Sequence, residues 1–237
     1  MTEPTLEQAP SAEDRRRLRR LPLFANASDA TIHDLLAFAP IATVGRNQFA
    51  AREGTTPNSL LAVVSGRFAL MTQLAGEQPQ VIGMAGRGEL IMAAAAMAAT
   101  PYPLTARAVE EARIASFPLA TLWGAADRDH GFAADLARIA CGEWRSIVSQ
   151  LKDYRLRSAP QRFAAYLVRL AMSAGQPHQG PAEVELIDDR KTLASLLGMT
   201  PENLSRTIAQ FRERGVIVTG RSVAIANLGS LADFAGA

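Results

Sequence analysis

The sequence predicts an α+β chain in which a glycine-punctuated β-sandwich or barrel comes first, one long helix follows, and a winged helix-turn-helix closes it. Three observations carry this. Between Ile41 and Pro118 short apolar runs alternate with glycines, Asp127 to Arg157 is free of proline and helically periodic, and Arg190 to Phe211 reads as two helices joined at Gly198.

Taken in order, the charged opening gives way at Leu21 to short helices, with Ser28 and Asp29 as caps before Ile32, Leu35, Leu36 and Phe38. The runs Ser59 to Val64, Arg67 to Thr72 and Arg113 to Phe117 read as strands, with Gly45, Gly54, Gly66, Gly76, Gly83, Gly86 and Gly88 at turns. In the long helix Ala133, Ala137, Ala140, Trp144, Ile147, Leu151 and Tyr154 recur at alternating steps of four and three, the seam of a coiled coil, so a partner helix and a two-fold homodimer are expected. Pro160 suits the first turn of the next helix, whose buried face is Phe163, Tyr166, Leu167 and Leu170; a loop and a short strand, Val184 to Ile187, follow. The predicted boundaries are 21–126, 127–158 for the dimerisation helix, and 159–233.

In the last segment Leu193, Leu196 and Leu197 share a face, Gly198 supplies a left-handed position, and Thr200 and Pro201 open the next helix as N-cap and first residue. Leu204, Ile208 and Phe211 point one way, which leaves Glu202, Asn203, Ser205 and Arg206 outward near the helix start. Arginine can bond guanine O6 and N7 together, glutamate accepts from cytosine N4, and serine serves several bases, so Glu202, Ser205 and Arg206 are the candidate base readers. Arg190, Lys191, Thr200, Asn203, Arg212, Arg214 and Arg221 are the candidate phosphate contacts, which position without reading sequence. Val216 to Val218 and Val223 to Ile225, flanking Gly220-Arg221, read as the wing. Taken alone, Glu202 and Arg206 are also an ordinary surface pair worth a few tenths of a kcal/mol; the seam, the wing and their order make double-stranded DNA the expected partner.

Composition narrows the classes. A net charge of +2 and a pI near 9.0 permit a polyanionic partner without requiring one. A single cysteine, Cys141, forbids an internal disulfide, a thiolate zinc site or an iron-sulfur cluster within one chain, and fits a reducing cytoplasmic setting. The longest apolar run, Ile91 to Ala99, falls short of the ~20 residues that cross a bilayer. Neither a membrane span nor a secretory signal is expected. Three scattered histidines assemble no catalytic set, so no enzyme is predicted.

The order of elements, together with Gly45, Gly54, Ser65-Gly66, Gly88-Glu89-Leu90, Thr192-Leu193-Ala194 through Gly198, and Glu202-x-x-Ser205-Arg206, resembles the CRP/FNR transcription regulators over nearly the whole chain. The resemblance implies that the first domain is a cyclic-nucleotide-binding-like jelly roll, that the dimer reads an FNR-like palindrome of TTGAT-type half-sites, and that RNA polymerase is a further partner. Two departures stand out. The lone Cys141 cannot supply the FNR cluster, and Tyr102 and Pro103 stand where cyclic-nucleotide binders carry a phosphate-holding Arg-Ser or Arg-Thr pair, which argues against cyclic AMP.

The effector is therefore unknown. Gly88, Glu89, Leu90 and Arg107 are the expected pocket residues, and Arg107 or Arg113 could hold a different anion. Haem, as the DNR-like branch implies for nitric oxide or carbon monoxide sensing, would take His33 or His130 as its candidate axial ligand, with Met84, Met92 and Met97 weaker still. Met84, Met92 and Met97 are expected as core filler and Cys141 as a buried inert thiol. A competing reading is a small-molecule module whose C-terminal domain contacts protein rather than DNA.

Overall fold

Ala62, Ala106 and Ala115 have no accessible surface, and Ala62 pairs with Ala115 across neighbouring antiparallel strands. The computed structural model describes residues 6–73 and 77–236; Gly76 lies outside them. Two compact units divide at Ser146 and Ile147.

The first unit contains β1 (Leu6–Gln8), α1 (Ala12–Leu18), a 3-10 turn (Pro22–Phe24), α2 (Asp29–Ala37), β2 (Ile41–Val44), β3 (Phe49–Ala51), β4 (Ser59–Ser65), β5 (Phe68–Thr72), β6 (Gln80–Ala85), β7 (Leu90–Ile91), α3 (Ala93–Met97), β8 (Thr105–Ala108), β9 (Ala112–Pro118) and α4 (Leu119–Ala126). It also holds the first part of α5 (His130–Leu156), within which the division falls. The strands form two antiparallel sheets, ordered β1-β2-β9-β4-β7 and β3-β8-β5-β6. Between the sheets Phe68, Ile91, Tyr102, Ala106, Ala108 and Ile114 form the roll interior. A second cluster joins the five-stranded sheet to the helices through Leu23, Phe24, Leu35, Phe117, Phe132 and Leu136.

The start of α5 is fixed by buried polar contacts that hydrophobic patterning does not reveal. Asp135, 1% exposed, accepts from the Asn26 backbone N–H at 2.6 Å and its side-chain amide at 2.7 Å, and pairs with Arg138 at 2.7 Å. Asp129 accepts from the backbone N–H groups of Ser28 and Phe132, and these bonds hold its carboxyl below the usual range, the Ser28 bond most of all. Gly131 is required by close approach, since a Cβ there would lie 2.1 Å from the Asn26 carbonyl oxygen.

The first domain starts earlier than residue 21. Leu18 of α1 is buried, and Asp14 makes a two-pronged pair with Arg113 on β9, at 2.8 and 2.9 Å. The opening segment is thus part of the domain, and Arg113 is already paired internally rather than free for an effector anion. The long helix begins at His130 rather than Asp127, because α4 ends only at Ala126 and Asp129 caps the turn that follows.

The second unit has α6 (Ala159–Ser173), β10 (Ala182–Glu185), α7 (Arg190–Leu196), α8 (Pro201–Phe211), a 3-10 turn (Arg212–Arg214), β11 (Val216–Thr219), β12 (Ser222–Ile225) and α9 (Leu228–Ala235). The three strands form one antiparallel sheet, ordered β10-β12-β11. β10 lies two residues before its expected place, since its ladder with β12 pairs Ala182 with Ile225 and ends at Glu185 and Ser222. Residue 233 is too early an end for this domain, because α9 continues to Ala235 and packs Leu228, Leu231 and Ala235 into the core. Phe234 sits edge-on to Phe211.

The Arg113 guanidinium holds the Asp14 carboxyl down at about 2, below its ordinary 3.8. A depressed carboxylate stabilises the fold above its unfolded pKa and loses that contribution as pH falls through the folded one. Asp14→Asn is therefore expected to cost about 2 kcal/mol in urea unfolding at pH 7, with the gap to wild type closing as pH falls from about 4 toward 2. A gap independent of pH contradicts this account.

Candidate nucleic-acid interface

The recognition segment is built from two capped helices and a left-handed turn. Asp189 caps α7 by accepting from the Thr192 N–H at 2.8 Å, and this bond is the main reason its carboxyl is held below the ordinary value. Gly198 adopts φ +61 after α7, and Thr200 caps α8 by accepting from the Asn203 N–H at 3.2 Å, with Pro201 next. Leu204 and Phe211 are buried and Ile208 is half-buried, so α8 rests on the core through the predicted face.

The opposite face is exposed, and Glu202, Asn203, Ser205 and Arg206 all lie on it within the first two turns. Each is engaged locally. The Glu202 carboxyl is held below its usual range first by its own backbone N–H, then by the Thr200 hydroxyl and the Arg206 charge. It is thus an anionic acceptor at neutral pH, the form that cytosine N4 requires. Ser205 Oγ donates back to the Pro201 carbonyl at 2.9 Å, and Arg206 Nη2 donates to Asn203 Oδ1 at 2.5 Å. These exposed single bonds are weak enough to be exchanged for others.

Around this face Arg190, Lys191, Thr200 and Arg212 are exposed. Two of the expected phosphate arginines have local tasks instead. Arg221 donates from Nε to the Leu186 carbonyl at 3.0 Å and from Nη2 to that of Ile187 at 2.5 Å, closing β10 against the wing turn. Arg214 stacks over the Phe234 ring at 3.9 Å.

What positions the turn is a residue that pattern reading missed. Arg162 of α6 donates to the Leu197 carbonyl at 2.8 Å, the Gly198 carbonyl at 3.3 Å and the Arg157 carbonyl at 2.8 Å. Its guanidinium lies 5.0 Å above the Tyr154 ring, and a Cβ on Gly198 would come within 1.9 Å of the Tyr154 hydroxyl. No spacing rule signals it: arginine stacking on an aromatic ring while satisfying helix-end carbonyls is a three-dimensional coincidence of distant residues.

The seam residues occupy one side of α5. Ala133 and Ala140 are half-buried and Ala137 is exposed, while Trp144, Ile147, Leu151 and Tyr154 are 66, 63, 56 and 55% exposed. Cys141 is exposed, not buried as expected.

Gly88, with φ +87, donates its N–H to the Val63 carbonyl, and Glu89 accepts from the Gly86 N–H at 2.7 Å, so both hold a local turn. Leu90 packs against the helical core cluster. Ala106 and Ala108 line the roll interior, so alternation along β8 turns Arg107 to the other face of its sheet, where it is half-buried and its Nε has no hydrogen-bond partner among the described residues. Tyr102 is buried in the roll interior, and burial pushes its hydroxyl up to about 12. Met92 is in the same interior cluster, and Met97 packs on the helical one. His33, His130 and His178 are all exposed. Among the described residues no helix is long and apolar enough to cross a membrane.

Comparison with known proteins agrees with this layout. Residues 42–129 match the family model of the cyclic nucleotide-binding domain, and residues 161–234 that of the Crp-like helix-turn-helix domain. The fumarate and nitrate reduction regulatory protein of Escherichia coli K12 is 25% identical over 194 residues, covering 81% of this chain and 77% of that one. FixK2 of Bradyrhizobium japonicum superposes with a TM-score of 0.71 at 19% identity, over 83% of this chain and 96% of that one. A CooA variant of Carboxydothermus hydrogenoformans gives 0.71 at 18% identity, over 83 and 88%. A roll of this kind joined to a winged helix-turn-helix defines an effector-linked, DNA-binding transcription regulator, not an enzyme. Within that class the two matched domains, in this order, support a regulator of the CRP/FNR superfamily.

Gly198→Ala is expected to cost about 1 to 2 kcal/mol from the left-handed backbone alone, and more where Tyr154 must also move. In a Tyr154→Ala background the cost should fall to the backbone part. Additive costs for the two substitutions in chemical denaturation contradict the packing described here.

Proposed function

We propose that the chain works in the cytoplasm as a homodimer that binds an FNR-like palindrome in duplex DNA, each subunit reading base edges with Glu202, Ser205 and Arg206. Arg190, Lys191, Thr200, Asn203 and Arg212 supply phosphate contacts, and RNA polymerase is the further partner. The observation that carries the reading is the exposed triplet at the start of a capped, buried-backed helix. The exposed apolar stripe of α5 supports pairing, since each such side chain gains about 1.5 to 3 kcal/mol when it leaves water.

The effector reading is of an unidentified small molecule acting at the roll, by changing how two copies of α5 pack and so the spacing of the two recognition helices. Against the alternative of haem, whose axial histidine must reach an enclosed iron, stands the exposure of both His33 and His130 on helices. Cyclic AMP is disfavoured by Tyr102 in the roll interior and by Arg113 being spent on Asp14.

Arg206→Ala is expected to cost about 1 to 3 kcal/mol on the specific site and to relax preference at one base pair, whereas Arg190→Ala weakens specific and random duplexes alike. Equal losses for Arg206→Ala on both duplexes count against base reading. Binding should also weaken steeply with salt, as released counterions require; a flat salt response favours a module that contacts protein.

Leu151→Glu places like charges across the seam and is expected to leave particles with the mass of one 25.4 kDa chain in light scattering. An unchanged doubled mass contradicts the seam.

A further inference from the structure

The helix α5 carries two adjacent rows of side chains. Phe132, Leu136 and Ile139 pack in the helical core cluster, and Glu143 comes next in that row, at steps of four, three and four. One position further round the helix are Ala133, Ala137, Ala140 and Trp144, the start of the exposed stripe.

Glu143 is half-buried, and it continues the contact with the roll by another chemistry. Its Oε1 accepts from the Ala93 N–H at 2.7 Å and its Oε2 from the Ala94 N–H at 2.8 Å. These are the leading N–H groups of α3, a five-residue helix with no side-chain cap of its own: the preceding Met92 is left-handed at φ 46 and makes no capping bond. Ala99 beyond its end is left-handed too, at φ 50. A helix this short between two unfavourable backbone positions is held from outside. Burial of Ala93 and Ala96 does part of that, and Glu143, fifty residues on, does the rest. The segment so held follows Gly88-Glu89-Leu90 after Ile91 and Met92.

We propose that Glu143 is a positioning residue through which the roll sets the long helix. Its two-pronged grip on α3 fixes the rotation of α5 about its own axis, and with it the direction in which the neighbouring Trp144 faces a partner helix. An effector that shifts α3 therefore acts on the seam through this carboxylate. The proposal rests on the regulated-dimer reading above and names its coupling element.

The test compares Glu143→Gln and Glu143→Asp with wild type in the full chain. Glutamine keeps the volume but offers one acceptor oxygen. Amide exchange at Ala93 and Ala94 should accelerate about tenfold or more while β4 and β9 stay protected. The dimer dissociation constant by sedimentation should change at least about fivefold, with a parallel change in duplex affinity. Aspartate, which keeps the charge on a shorter stem, should fall between, and it carries the comparison if glutamine loosens the whole domain. Faster exchange with dimer constant and duplex affinity within about twofold of wild type overturns the proposal, since Glu143 would then only cap α3. Unchanged exchange also overturns it. A wild-type chain that neither pairs nor shifts any duplex removes the regulator reading and the coupling with it, whereas a null response confined to the variants removes the coupling alone.

Discussion

The arrangement depends on one helix that has two masters. On one side α5 buries Phe132 and Leu136 in its own domain, and on an adjacent side it turns Trp144, Ile147, Leu151 and Tyr154 to solvent. A stripe of that size is the kind of surface that interaction covers, and its spacing is that of a coiled-coil seam. The exposed triplet on α8 gains meaning from the same requirement, because one short contact with a groove is a weak reader and two related by symmetry are a strong one.

Between stripe and triplet stands the Arg162 clamp. It ties the carbonyls of Leu197 and Gly198, where α7 ends, to the ring of Tyr154, the last seam position. Tyr154 therefore serves two surfaces at once, and its packing on Gly198 makes the turn before α8 sensitive to how the end of α5 is held. At the other end Asp129 and Asp135 fasten the start of α5 to residues 26 to 28, so the helix is anchored by ion-strength hydrogen bonds where it leaves the roll.

What patterning could read, it read through periodicity and caps. The apolar stripe of α5, the buried face of α8, Gly198 and the Thr200-Pro201 start follow from local rules that act within a few residues. The misses are contacts between residues far apart in sequence. Asp14 with Arg113 extended the first domain, Glu143 reached α3, and Arg162 reached α7, and none leaves a spacing signature. For Arg107 the added information is strand alternation, which Ala106 and Ala108 fix and which sets it on the face of its sheet away from the roll interior. Arg221 likewise reads as a phosphate contact from composition, while its geometry assigns it to backbone carbonyls. The Asp189 cap was within reach, since Asp before a helix start with Thr three residues on is a recognisable entry signal.

The measurement that bears most directly on the central claim is selection from a random pool of duplexes by the purified protein, followed by sequencing of what it retains. Two matched readers on one face of the double helix predict an inverted repeat whose half-sites are centred about one helical turn apart. Enrichment of a single unpaired half-site, or of no sequence at all, would contradict it.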